Sequence, residues 1–181
     1  MKNDINQVRD RDPLFEELNE LKELRRWLNY IPWKNNTILL FNPVVNLITE
    51  DANNSKAWSP YVEVLFAYLC HTYKGFGFVL NNDIDDYIGI NLFNCINESN
   101  SINSFAQKII NTLNSYTEFD LDEKELHILC KAELLKNQNI DIKKENIQIK
   151  NKGFFIITGN MYLKQGINER SNEITKLIKE L

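Results

Sequence analysis

The sequence predicts an α+β fold. Three observations support this. Apolar residues recur at helical spacing in four stretches, short apolar or alternating runs of strand length lie between them, and the two kinds of segment follow no regular alternation.

The first 13 residues are polar, with Asp10, Arg11 and Asp12 ahead of Pro13, and read as a loose arm. From Leu14 the leucines 14, 18, 21, 24 and 28 recur at helical spacing, which predicts an amphipathic helix with Asp12 as N-cap and Pro13 at its first position. Pro32 ends it. Thr37 to Phe41 is a short apolar run closed by Asn42-Pro43, a buried strand and a turn. Trp58, Val62, Leu65, Phe66 and Leu69 predict a second helix over 58–73. Strands over 75–80 and 87–93 flank the polar stretch 81–86, so a hairpin is expected. Ser101 is the expected cap of a helix that runs to Asn114 on Ile102, Phe105, Ile109, Ile110 and Leu113. Further strands are predicted at 126–130, 146–150 and 153–158, and a last helix opens at Asn168 or Ser171. No repeat or linker divides the chain, so residues 14–181 are expected to form one domain.

An apolar fraction of 43% and a charged fraction of 25% over 181 residues are those of a globular protein with a proper core. No run of about 18 apolar residues appears and the N-terminus is charged, so neither a membrane span nor a secretory signal is read and a cytoplasmic location is expected. Cys70, Cys95 and Cys130 stand singly among mostly apolar neighbours, which suits buried, inert thiols better than disulfides or zinc. The net charge of −4, with a pI near 5.3, gives no global surplus for neutralising phosphates. Any nucleic-acid contact must therefore use a local patch, and Lys131, Lys136, Lys143, Lys144, Lys150 and Lys152 give the later half a basic bias. Trp27, Trp33 and Trp58 read as core anchors rather than base-stacking platforms, and His71 as a surface or helix-end residue.

Five segments occur in order: Gly75-Phe-Gly-Phe-Val-Leu80, Tyr87-Ile-Gly-Ile-Asn-Leu-Phe-Asn-Cys95, Leu113-Asn-Ser-Tyr-Thr-Glu118, Leu126-His-Ile128 and Phe154-Phe-Ile-Ile-Thr-Gly-Asn160. Together with Trp27, Trp33, Phe41-Asn42-Pro43 and Ala57-Trp58, this series resembles the N-terminal primase–polymerase domain of phage and plasmid replication proteins, in the archaeo-eukaryotic primase superfamily. The resemblance runs from about Trp27 to the C-terminus. It implies a mixed sheet of the RNA-recognition-motif kind with a smaller flanking α/β unit. It also implies nucleotidyl transfer assisted by two divalent ions, Mg2+ or Mn2+. Hard cations need carboxylate oxygens, and two acids spaced two apart on a strand share one face. A third acid on a later strand, and a histidine behind a Ser/Gly-rich loop, complete the implied site.

This chain departs from that pattern at each acid. The segment Gly89-Ile90-Asn91-Leu92-Phe93 carries Asn91 and Phe93 where the resemblance calls for two carboxylates. Gln148 stands at the third position, or Lys150 or an asparagine if the register slips. The phosphate loop is replaced by Asp120, Asp122, Glu123 and Glu125 around Lys124, and only His127 survives. Asp83, Asp85 and Asp86 read as a solvated turn. The expectation is thus a catalytically degenerate relative with no metal and no cofactor. Such a protein would be a DNA-replication accessory of a mobile element, contacting a helicase, a polymerase or another element protein, with single-stranded DNA as a further partner through Lys131, Lys143, Lys144, Lys150 and Lys152. Two alternatives stand beside it: an active primase using displaced acids such as Asp85 or Asp122 with Mg2+ or Mn2+, and a regulator or inhibitor that works by protein contacts alone.

Overall fold

A computed structural model describes residues 16–34, 37–45, 47–70, 72–135 and 138–181. The expected arm, with the Asp12 cap and Pro13, lies outside the described residues, as do His71 and Lys136. The fold is α+β, and its ladders are antiparallel where a mixed sheet was expected. The chain divides into two compact units, one formed by Met1–Val79 with Phe154–Thr158 and the other by Leu80–Gly153 with Gly159–Leu181.

The first unit is built on strands β1 (Trp27–Pro32), β2 (Ile38–Asn42), β3 (Leu47–Thr49), β4 (Gly75–Asn81) and β10 (Lys152–Ile157), in the sheet order β10-β4-β1-β2-β3. One helical turn, α1 (Asn19–Lys22), follows a 3-10 turn over Glu16–Leu18. The predicted helix from Leu14 to Leu28 is therefore cut short, and Leu28 belongs to β1. The physical reason lies in Trp27: its indole N–H donates to the Leu21 carbonyl at 3.0 Å, while its backbone pairs with Ser59. Trp27 is fully buried and packs against Tyr61, Phe76 and Phe78, so an aromatic cluster outweighs helical periodicity. Tyr61 opens α2 (Tyr61–Leu69), shorter than the stretch 58–73.

The opposite face of this sheet buries Leu28, Tyr30, Leu40, Trp58 and Val79, with Phe154 and Ile156 packed on them. Trp27 and Trp58 are core anchors as read, whereas Trp33 is 51% exposed. Gly77 is required on this face. A Cβ there would meet the Phe155 carbonyl oxygen at 2.3 Å and the Phe154 ring at 2.6 Å.

The second unit holds β5 (Tyr87–Leu92), β6 (Tyr116–Phe119), β7 (Leu126–Lys131), β8 (Asp141–Lys144), β9 (Ile147–Lys150) and β11 (Met161–Leu163), in the order β11-β6-β7-β5-β9-β8. The predicted 75–93 hairpin is thus corrected: β4 and β5 belong to different sheets, and β5 pairs with β7 and β9. The Asn81–Asp86 segment connects them without pairing them, because Gly75–Asn81 is buried along nearly its whole length between β1 and β10. Ile88, Ile90, Leu92, Leu126, Ile128, Cys130, Ile147 and Ile149 send their side chains to one face. There they meet Ala106, Ile109, Ile110 and Leu113 of α3 (Ser104–Leu113) and Ile174 of α4 (Ser171–Glu180). The cap of α3 is Asn103, whose side-chain oxygen accepts from the Ala106 N–H at 2.9 Å, rather than Ser101. Asn114 closes that helix in the left-handed region, at φ 37°.

Of the three thiols, Cys95 and Cys130 are buried and Cys70 is exposed, a correction to the reading of all three as interior. Burial pushes the Cys95 thiol up to about 11 and raises that of Cys130 further, so neither supplies thiolate at neutral pH.

The close approach at Gly77 yields a direct check. Gly77→Ala is expected to lower the free energy of unfolding by about 1–3 kcal/mol, read from the midpoint of a urea titration. A change within about 0.3 kcal/mol would show that β10 yields freely beside β4.

Candidate functional site

The second unit brings most of the singled-out positions together by register alone. Asn91 lies opposite His127 on β7 and opposite Gln148 on β9. His127 in turn lies opposite Glu118 on β6, and Gln148 opposite Lys143 on β8. A single cross-strand row therefore reads Glu118, His127, Asn91, Gln148, Lys143. Because strand side chains alternate, this row projects from the face opposite the apolar core. The next row on the same face reads Tyr116, Leu129, Gly89, Lys150, Asp141.

Two hydrogen-bonded groups occupy the face. In the first, the Asn91 amide nitrogen donates to the Gln148 side-chain oxygen at 3.2 Å, and the Gln148 nitrogen donates to an Asp141 carboxylate oxygen at 3.2 Å. The direction follows from chemistry. An ionised carboxylate only accepts, so Gln148 must turn its NH2 group to Asp141 and its oxygen to Asn91. Asp141 also lies opposite Lys150. Burial lowers the Lys150 ammonium below its ordinary 10.5, with Asp141 opposing the shift.

In the second group, Glu118 is 0% exposed. Its Oε2 accepts from the Tyr116 hydroxyl at 2.6 Å and from the Gly159 N–H at 2.9 Å, and its Oε1 lies 3.3 Å from His127 Nδ1. A buried carboxylate persists only with such partners. Since it accepts, it selects the imidazole tautomer with the proton on Nδ1, which leaves Nε2 as the ring's acceptor.

The remaining expected positions are placed less centrally. Phe93 follows the end of β5, its N–H donating to the Asn146 carbonyl, and the Lys143 ammonium lies 5.8 Å from its ring centre. Of the proposed nucleic-acid lysines, Lys131 stands over the Tyr87 ring at 5.2 Å and Lys152 pairs with Asp83 at 3.0 Å. Lys150 is half-buried, while Lys143 and Lys144 are exposed on β8. The acidic loop is folded back on itself: Asp120 Oδ1 accepts from the N–H groups of Lys124 and Glu125, and Glu123 accepts from Asn160 at 2.9 Å. Burial, then the neighbouring Asp120, raises the Glu125 carboxyl.

Glu118, Tyr116, Gly159 and Asp141 are site residues that the reading of candidate positions passed over. The available signal was an acid at the same strand parity as Tyr116, in a segment otherwise free of charge from Ala106 to Thr117 save for Lys108.

Tested against two divalent cations, these residues do not fit. The Asn91 and Gln148 oxygens are neutral, Phe93 offers no donor, and the Glu118 carboxylate is engaged on both oxygens. Among the described residues no three His, Cys, Asp or Glu side chains form a cation-holding group. What the row can do is donate and accept hydrogen bonds. No protein-family model matches the chain, and a search of the curated proteins returns no match.

Two outcomes check this account. Glu118→Ala strands the Tyr116 hydroxyl, the Gly159 N–H and the His127 ring, and is expected to remove about 3–5 kcal/mol in urea unfolding, whereas Glu118→Gln removes less than half of that. Equal losses would mean that hydrogen bonding to Glu118 is immaterial. For Lys150 the sign is that of a base whose folded value is lowered: the unfolded chain binds more protons below 10.5, so stability rises as pH climbs towards that value. Lys150→Met is expected to be more stable than wild type at pH ~7 by roughly 0.5–1 kcal/mol, a gap that closes towards pH ~10. A gap that holds constant with pH would refute the assignment.

Proposed function

We propose that this chain is a primase–polymerase-like protein of a phage, plasmid or other mobile element whose nucleotidyl-transfer chemistry has been given up. It serves as a non-catalytic accessory in DNA replication. The observation that carries the reading is the cross-strand row of Asn91, His127 and Gln148. Three positions distant in sequence, singled out by resemblance as two former acids and a phosphate-binding histidine, fall side by side on one face. Amides there keep the shape of carboxylates and lose their charge. Paired ions that bridge an attacking oxygen and a triphosphate need anionic oxygens to hold them, and without the ions the transfer is slower by many orders of magnitude.

The accessory works chiefly through contacts with a helicase, a polymerase or another protein of the same element. Weak single-stranded DNA binding is the lesser part, because three of the five lysines are already committed to Tyr87, Asp83 or a half-buried position. Lys144, and Lys143 where it leaves the Phe93 ring, remain for phosphates.

Primer extension with Mg2+ and with Mn2+, alongside fluorescence anisotropy of a labelled single strand, tests the proposal. The expected result is no extension above background. Binding should follow a log–log salt slope of about −1 to −2, as two phosphate contacts give. Template-dependent extension that disappears in Asp85→Ala or Asp122→Ala would replace this reading with an enzyme using displaced ligands.

A further inference from the structure

Trp33 stands outside the core: it is 51% exposed, against 0% for Trp27 and 8% for Trp58. An indole is the largest apolar ring a side chain carries, and this one holds half its surface in water. Its only ring contact among the described residues is with Lys34, whose ammonium lies 5.7 Å from the ring centre. The ring sits at the tip where β1 turns into β2, and that tip is ordered. The Trp33 N–H donates to the Thr37 carbonyl at 2.8 Å, and the Lys34 carbonyl accepts from the Thr37 N–H at 3.2 Å and from its hydroxyl at 2.7 Å. Pro32 fixes the backbone just before it. A partner therefore meets an aromatic platform already in place.

Its surroundings are cationic on a chain whose net charge is −4. From Trp27 to Thr49 the sole charged residue is Lys34, and from Val64 to Asn82 the sole Asp, Glu, Lys or Arg is Lys74. Register brings the two lysines to the same end of the sheet. Gly75 lies opposite Tyr30, and the Lys74 N–H donates to the Tyr30 carbonyl at 3.0 Å. Lys74 thus stands level with Ile31, just short of the tip, and both lysines are exposed. The nearest acids by register, Glu50 and Asp51, follow β3 on the opposite flank, where Asp51 Oδ1 accepts from the Asn53 N–H at 2.9 Å. The potential accordingly grows more positive from the β3 flank across the tip towards β4.

We infer that the Trp33 tip is a stacking site for one base of single-stranded DNA, with Lys34 and Lys74 on the flanking phosphates. Two requirements select this ligand. The lysines call for an anion, and the half-exposed indole calls for a planar face to lie against it. An acidic peptide meets the first alone, and duplex DNA keeps its base faces stacked away. A single strand meets both, since every unpaired base offers a π-face beside a charged backbone. The site lies in the first unit and shares no residue with the lysines of β8. It takes its ligand from the accessory role proposed above and rests on that reading to that extent, though not on the loss of catalysis.

Tryptophan fluorescence of the full chain, titrated with a short oligothymidylate at low salt, is the test. Because Trp27 and Trp58 are buried, quenching by the oligonucleotide reports on Trp33. Wild type is expected to be quenched and Trp33→Phe to lose the quenching. Trp33→Ala is expected to weaken binding by about tenfold, read by anisotropy, with circular dichroism verifying that it is folded. Lys34→Ala and Lys74→Ala should each flatten the log–log salt slope by about 0.7. A polyaspartate peptide should leave the fluorescence unchanged. No quenching of wild type, equal quenching by polyaspartate, or folded Trp33→Ala that binds as wild type does would overturn the inference. Binding that Lys144→Ala abolishes and Trp33→Ala leaves intact would sink this site and spare the accessory role, whereas template-dependent primer extension beside Trp33-dependent quenching would do the reverse.

Discussion

The register of β5 between β7 and β9 is the constraint on which the second unit depends. Side chains on a strand alternate, so one pairing decides at once which residues enter the core and which form the polar face. With Ile90 opposite both Ile128 and Ile149, three apolar residues join the interior beneath α3 and α4. The same pairing sets Asn91 beside His127 and Gln148. A slip of one residue would drive Asn91, His127 and Gln148 into the apolar layer and expel the isoleucines. Each of those misplaced polar groups would cost on the order of 1–3 kcal/mol, so the arrangement of the site is tied to the stability of the core.

On the polar face stand two hydrogen-bonded groups rather than a ring of carboxylates that would cradle a cation. The amide pair passes its direction from Asp141 inward, and the buried Glu118 holds His127 from the other side. A carboxylate at position 91 would instead sit beside the Gln148 oxygen, lone pair against lone pair. Such repulsion is relieved by a cation and left standing without one, so neutral amides have the advantage wherever no ion is held at this position.

The strands and helices with strong local patterns were legible in the sequence: Leu126 to Cys130, Ile147 to Lys150, and the amphipathic faces of α3 and α4 all lie where periodicity puts them. Two kinds of feature were not. Trp27 ended the first helix through contacts with Tyr61, Phe76 and Phe78, which come from distant segments and leave no local trace. The strands β6, β8 and β11 are only three or four residues long, too short for alternation to be counted. The site was legible by identity more than by geometry. Asn91, His127 and Gln148 could be named, but Glu118 and Asp141 become partners only once the ladder order is known, since no spacing along the chain implies β11-β6-β7-β5-β9-β8.

The path of the chain through β10 carries a consequence for biogenesis. Residues Phe154–Thr158 complete a sheet whose other strands all lie before residue 82, while everything between them builds the second unit. During synthesis the outer border of β4 must therefore wait, uncovered, until more than seventy further residues have left the ribosome. A nascent chain halted within that interval holds β4 paired on the β1 side alone, with its other border open, and is therefore the species most exposed to aggregation and to chaperones.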